Sequence, residues 1–265
     1  MTTARLRLAL VTVAVTMVVL GAAVIGEVGG VAGEAPASAL DPDSGNTPYD
    51  GRFTFVRLRY EDGAGGFAFR REPFWAHDYP RAERNLMQIL ASATYLDPFM
   101  GLSGGNILTL DDPELFKYPL AYMSEPGYWT LSEAEAEGLR SYLKKGGFVI
   151  FDDFRGSHWY NFEAQMRRVL PDSPLVELDV SHPIFHSFFE IPSLDFVQPY
   201  DRHREPLFYG AFEDNDRRKR LLLIANYNND IGEYWEYSDT GFIPIDLSNE
   251  AYKFGVNYII YAFTH

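Results

Sequence analysis

The sequence predicts an α/β fold in which a mostly parallel β-sheet is covered by helices on both faces. Short apolar runs, typical of buried strands, alternate along the chain with longer segments whose apolar residues recur at helical spacing. The connections between these segments are short, and such alternation is the pattern of successive strand–helix–strand units. With 46% hydrophobic residues in 265, the chain can bury a sizeable core.

The first half of the predicted fold contains three strands and one helix. Residues 53–59 alternate large apolar with polar side chains, which predicts the first strand. Residues 80–94 carry apolar side chains at helical spacing, which predicts the first helix. The apolar runs 107–110 and 120–123 predict two further strands.

The second half begins with the clearest local signal in the sequence. Ser132 and Glu135 form a capping box that predicts the start of a helix, and the glycine pair at 146–147 predicts its end. The remaining predicted elements are a strand at 148–151, a helix at 162–170, strands at 175–178, 207–212 and 221–225, and a final helix at 250–262. Together these elements complete a three-layer arrangement.

The N-terminal segment predicts export from the cytoplasm. Arg5 and Arg7 precede an uncharged run, residues 8–26, that is long enough to cross a bilayer as a helix of roughly 28 Å. We expect residues 1–28 to be a signal peptide or a transmembrane anchor. The length of the run favours an anchor, and the small residues at 35–39 fit a cleavage site. Residues 29–51 then predict a flexible linker, and residues 52–265 a single α/β domain.

The charge and the absence of cysteine exclude several classes of function. A formal net charge of −14 argues against nucleic acid as a partner, because phosphate-binding surfaces need clustered lysine and arginine. Without cysteine the chain has no disulfide, thiolate metal site or cysteine nucleophile. From the N-terminal segment we expect an extracytoplasmic protein, on the periplasmic or cell-surface side, that is either secreted or held at the membrane by that segment.

Several short segments of the sequence occur together in one known family. They are 78–80 (Asp-Tyr-Pro), 113–116 with 118–119 and 122–123, 146–154 (Gly-Gly-Phe-Val-Ile-Phe-Asp-Asp-Phe), 182–186 (His-Pro-Ile-Phe-His), 226–232 with Trp235, and 251–258. In this order they resemble the family described as domain of unknown function 4159. The resemblance implies a flavodoxin-like fold similar to class I glutamine amidotransferases and trehalose-utilisation proteins, and it implies no activity. Amidotransferases attack with a cysteine, so glutaminase chemistry is excluded here.

Candidate catalytic residues stand at the end of a predicted strand. Asp152 and Asp153 directly follow residues 148–151, and ligands of open α/β sheets bind beyond the carboxyl ends of the strands. Two adjacent carboxylates there can bind a hard cation or divide acid and base roles. The alternative is that one of them caps a turn while the other faces solvent.

His182 and His186 are the candidate metal ligands. A short helical turn starting at Pro183 would place two imidazoles four residues apart on one face, as a zinc pair requires, with Asp152 or Asp153 as the third ligand. Histidines among phenylalanines are also common as structural residues, and that reading stays open.

The candidate ligand-binding residues follow the predicted strand 221–225. Their amides and carboxylates suit the hydroxyl groups of a sugar or a calcium ion, although asparagines also form tight turns on their own. Two residues from elsewhere in the chain are expected in the same cleft. The full set is Asn226, Asn228, Asn229, Asp230, Glu233, Asp78 and Trp159.

Two functional hypotheses remain from different classes. In the first, the domain is a non-catalytic binding or assembly module held at the membrane, with a membrane protein as its partner. In the second, it is a hydrolase-like enzyme acting on a small polar or carbohydrate ligand, with or without a divalent metal ion. The enzyme hypothesis predicts that a carboxylate oxygen of Asp152 or Asp153 lies within about 6 Å of a nitrogen of His182 or His186, or of Asn228 or Asp230, in one concave pocket.

Overall fold

The structure is a computed structural model and describes residues 45–63, 72–196 and 203–265. The predicted signal peptide or anchor, and the predicted linker up to residue 44, lie outside the described residues. No helix within the described ranges is both long enough and apolar enough to cross a membrane.

A seven-stranded sheet forms the centre of the fold. In chain order the strands are β1 (Val56–Arg59), β2 (Glu61–Asp62), β3 (Asn106–Thr109), β4 (Leu120–Ser124), β5 (Trp129–Thr130), β6 (Phe148–Phe154), β7 (Val176–Glu177), β8 (Leu207–Phe212) and β9 (Leu221–Tyr227). The central sheet has the order β3-β1-β4-β6-β9-β8-β7, and β2 pairs with β5 separately. The first five of these central strands are parallel, whereas β8 and β7 are antiparallel to their neighbours. The predicted mostly parallel, flavodoxin-like sheet is therefore confirmed.

Within the described ranges, five α-helices cover the two faces of this sheet: α1 (Arg81–Ala93), α2 (Glu133–Lys144), α3 (His158–Val169), α4 (Ile231–Glu236) and α5 (Ile245–Thr264). Alternate residues of β4 show how the faces divide. Leu120 and Tyr122 belong to the apolar cluster under α1 and α5, and Ala121 and Met123 belong to the cluster under α2 and α3. Both faces of the sheet are thus buried, as a parallel sheet requires.

Local capping signals define the ends of α2 as the sequence predicts. The Ser132 side chain accepts a hydrogen bond from the Glu135 N–H, and the Glu135 side chain accepts one from the Ser132 N–H. Gly146 follows the helix with φ of 116°, which an L side chain rarely adopts. The interior Gly138 is required for another reason, because a Cβ there would lie 2.4 Å from the Leu110 carbonyl oxygen.

The structure corrects the predicted end of β6. This strand continues to Phe154 instead of ending at Phe151, so Asp152 and Asp153 lie within it. It can continue because Phe154 still pairs with Tyr227 of β9 after a register shift. Asp153 stands at that irregularity with φ of 55°, and both aspartates are buried.

Candidate functional site

The candidate site lies at the carboxyl-terminal edge of the parallel strands. The strand order reverses there, because β3 lies on one side of β1 and β4 lies on the other. Open α/β sheets bind their ligands at such a reversal. Four parts of the chain contribute residues to this edge: the connection after β1, the residue after β4, the end of β6, and the loop from β9 into α4.

Asp152 is an internal anchor of this edge. Its carboxylate accepts hydrogen bonds from the Tyr122 hydroxyl at 3.0 Å, the Asn226 amide at 2.9 Å and the Gly232 N–H at 2.8 Å. Burial raises the pKa of Asp152 to about 6. These hydrogen bonds join β6 to Tyr122 of β4, to Asn226 of β9 and, through Gly232, to the first turn of α4. Asp152 is thus placed to position the neighbouring elements, and its catalytic role stays a prediction.

Asp153 points into the site and meets a histidine that the sequence analysis did not select. The His77 Nδ1 lies 2.8 Å from Asp153 Oδ2. Burial, followed by the charges of Asp230 and Glu125, raises the pKa of Asp153 well above its ordinary value. The two adjacent aspartates thus have different environments, and Asp153 is the one that takes part in the cluster.

Asp78 is the most unusual side chain of the site. It is buried, and neither carboxylate oxygen has a hydrogen-bond partner among the described residues. Its Oδ1 lies 3.5 Å from the same His77 Nδ1. The backbone of Asp78 is left-handed, with φ of 66°. Burial raises the pKa of Asp78 well above the ordinary value, and the charge of His77 opposes this shift.

Arg57 of β1 fixes the position of the His77–Asp78 segment. Its guanidinium donates to the Trp75 carbonyl at 2.9 Å and to the His77 carbonyl at 2.8 Å, and it forms a buried ion pair with Glu83 of α1. Arginine suits this task because its planar group offers several donors in fixed directions. The alternating pattern of residues 53–59 places Arg57 at a polar position of the predicted strand, and its burial is a finding of the structure.

The loop after β9 contributes both structural and site residues. Asn228 accepts a hydrogen bond from the Gly156 N–H and donates one to the Glu205 carbonyl, while Asn229 accepts one from the Asp230 N–H. Asp230 caps α4 by accepting from the Glu233 N–H at 2.9 Å. The predicted ligand-binding asparagines thus shape the loop.

Glu233 stands at the partly exposed side of the cluster, in the first turn of α4. Burial, together with the nearby charge of Asp230, raises its pKa to about 7. A carboxyl group with that pKa exchanges protons near neutral pH. Among the predicted ligand-binding residues, Glu233 is therefore the one best suited to transfer protons.

Two groups of side chains in the described part of the chain could hold a metal ion. One contains His77, Asp78 and Glu233, the other contains His77, Glu125 and Asp153, and within each group the ligand atoms lie within 4.8 Å of one another. Both groups contain His77. Carboxylate oxygens with one imidazole nitrogen form a donor set for divalent cations, and the same groups can transfer protons.

The structure does not bring His182 and His186 to this site. His182 accepts a hydrogen bond from the Ile184 N–H, and His186 contacts the Val180 carbonyl and Glu190. The turn from Pro183 to His186 is a 3₁₀-helix with His182 as an extended N-cap. Because a 3₁₀-helix has three residues per turn, positions four apart do not share a face. These contacts correct the predicted zinc pair to two structural histidines.

Trp159 also has a structural environment. Its ring lies 4.5 Å from that of Tyr209 and 5.0 Å from that of Tyr227, measured between centroids, and it stacks on Phe154. These contacts pack Trp159 between α3 and the sheet, and its contact with a ligand stays a prediction.

His77 and Glu125 are the site residues that the sequence analysis missed. Glu125 directly follows β4 and is buried with φ of 48°. Its place after a buried strand was the available signal, as was the position of His77 next to Asp78.

A family model described as "Domain of unknown function (DUF4159)" matches residues 54–263, which include all of these side chains. No curated protein matches the chain.

Proposed function

Because the chain belongs to the family described as Domain of unknown function (DUF4159), we propose a function from the site itself, namely that the domain is a hydrolase-like enzyme acting on a small polar substrate. The observation that carries this proposal is the convergence of His77, Asp78, Glu125, Asp153 and Glu233 at the strand-order reversal. Side chains with raised pKa values gather at catalytic sites more often than elsewhere.

The roles follow from the environments of the side chains. Glu233 is the proton-transfer group, because its pKa of about 7 matches neutral conditions and its side chain is the partly exposed carboxylate of the cluster. His77 Nδ1 and Asp153 Oδ2, which lie 2.8 Å apart, belong to the two polar side chains that orient the attacking water. Arg57 holds His77 through the His77 carbonyl, and Asp152 holds the first turn of α4, which carries Glu233.

The charge of the site limits the substrate class. Carboxyl groups outnumber the one imidazole in the two ligand groups, so the groups offer an anionic substrate few cationic partners. Hydroxyl groups of a carbohydrate donate well to carboxylate oxygens. We expect a neutral, hydroxyl-rich substrate. We also propose that the domain works outside the cytoplasm, which rests on the uncharged run 8–26 behind two arginines.

The test is an activity measurement on the purified full chain against chromogenic glycosides, esters and amides. Glu233→Gln should lower the rate by about 100-fold or more and remove the limb of the pH profile near 7. Glu163→Gln, the same substitution on the outer surface of α3, is the matched control. An unchanged rate in Glu233→Gln would contradict the assigned role, and the absence of turnover on every substrate class would contradict the proposal.

The second candidate is the non-catalytic binding or assembly module. Large apolar side chains that are strongly exposed favour it, because such side chains form partner contacts. Tyr95 and Leu102 stand in the connection from α1 to β3, and Phe242 and Ile245 stand at the start of α5. The activity measurement separates the two candidates. A chain that binds a sugar in a thermal-shift assay without turnover is a binding module.

A further inference from the structure

The buried Asp78 carboxylate lacks the donors that a buried anion needs. Both of its oxygens are enclosed without a hydrogen bond from any described residue, although the segment that carries it is held firmly by Arg57. Buried charges in proteins are paired or coordinate metals. A firmly held but unsatisfied carboxylate therefore indicates a missing cation.

The atoms around Asp78 have the spacing of a coordination shell. The His77 Nδ1 lies 3.5 Å from Asp78 Oδ1 and 2.8 Å from Asp153 Oδ2. In six-coordinate sites with bonds near 2.1 Å, neighbouring ligand atoms lie about 3 Å apart. His77 belongs to two groups of close ligand atoms, one with Asp78 and Glu233 and the other with Glu125 and Asp153, so an ion bound beside His77 Nδ1 can draw ligands from both groups. Glu125, in the same group as Asp153, supplies a fourth oxygen.

We propose that His77, Asp78, Asp153 and Glu125 bind one divalent transition-metal ion at the carboxyl-terminal edge of the sheet. The inference rests on the proposed function, because it treats these side chains as the functional site and gives Glu233 a metal-bound water to deprotonate. One imidazole with three carboxylates is a donor set suited to Mn²⁺ or Zn²⁺ more than to Mg²⁺ or Ca²⁺, which prefer oxygen ligands alone.

Titration of the full chain with MnCl₂ after removal of metals by chelator tests this inference. The electron paramagnetic resonance signal of free Mn²⁺ should show one ion bound per chain. Asp78→Asn should weaken binding by at least about tenfold, and Asp153→Asn should do the same. Asp172→Asn, an exposed aspartate on a turn, is the matched control and should bind like the unaltered chain.

A thermal readout keeps the test valid if a variant is suspected of misfolding. Asp78→Asn should still show a cooperative melting transition without metal, and it should abolish the increase in melting temperature that Mn²⁺ produces in the unaltered chain. Absence of Mn²⁺ and Zn²⁺ binding by the full chain, or unchanged Mn²⁺ binding in both variants, would overturn the inference. Full hydrolysis by metal-free chain would overturn it while leaving the proposed function intact. Mn²⁺ binding by a chain that hydrolyses no substrate would support the metal site and contradict the proposed function.

Discussion

Replacement of Arg57 by methionine should be among the most destabilising single changes in this domain. The Arg57 and Glu83 side chains are each only 1% exposed. Removing one partner of a buried ion pair leaves the other as an uncompensated charge, which costs about 3–5 kcal/mol. The Trp75 and His77 carbonyls would also lose their donors, adding about 1 kcal/mol each. We expect a total loss of about 5–7 kcal/mol in the free energy of unfolding.

A double-mutant cycle isolates the ion pair from the carbonyl contacts. Arg57→Met with Glu83→Met removes both charges, so only the two unsatisfied carbonyls remain and the loss should fall to roughly 2 kcal/mol. Urea unfolding followed by tryptophan fluorescence measures each variant. The exposed pair Lys253–Glu250 is the control, and its coupling energy should not exceed about 0.5 kcal/mol.

Two results would refute this reasoning about Arg57. A loss below about 1 kcal/mol in Arg57→Met would mean that the arginine does not hold the segment before α1. A double variant that loses the sum of the two single losses would mean that Arg57 and Glu83 do not interact. Either outcome would also remove the argument that Asp78 is held firmly in the site.

Two further predictions concern the same edge of the sheet and the packing of α2. The folded-state pKa of Asp152 is about 6, which is above its unfolded value, so its contribution to the free energy of unfolding is full below about pH 4 and is lost as the pH rises to about 6. In urea unfolding of the metal-free chain, Asp152→Asn should reduce this loss of stability with rising pH by up to roughly 3 kcal/mol. An identical pH dependence in the variant would contradict the assigned pKa. Gly138→Ala should lower the free energy of unfolding by about 2 kcal/mol, although alanine has the better helix propensity. The reason is that the new Cβ would lie 2.4 Å from the Leu110 carbonyl oxygen and 2.8 Å from the Asp111 Cα. A raised melting temperature would contradict this, because it would show that α2 can move away from Leu110 and Asp111.

The sequence by itself determined the elements whose signals are local. The capping box at Ser132 and the apolar periodicity of α1 depend on residues within one or two turns, and the structure contains both as predicted. The mostly parallel sheet was also predictable, because the alternation of strands and helices leaves few other arrangements. A short helical turn at Pro183 was predicted and is present, but it is a 3₁₀-helix, so the predicted direction of His186 was wrong.

Only the tertiary structure decided which side chains form the site. His77, Glu125, Asp153 and Glu233 are distant in the chain, and they meet because β4 and β6 are neighbours, with β1 on one side and β9 on the other. The roles of Asp152 and Asp153 depend on one register shift between β6 and β9, which no local pattern reveals. Local signals specify backbone conformation within a few residues, whereas the site depends on strand order and on which face each side chain takes.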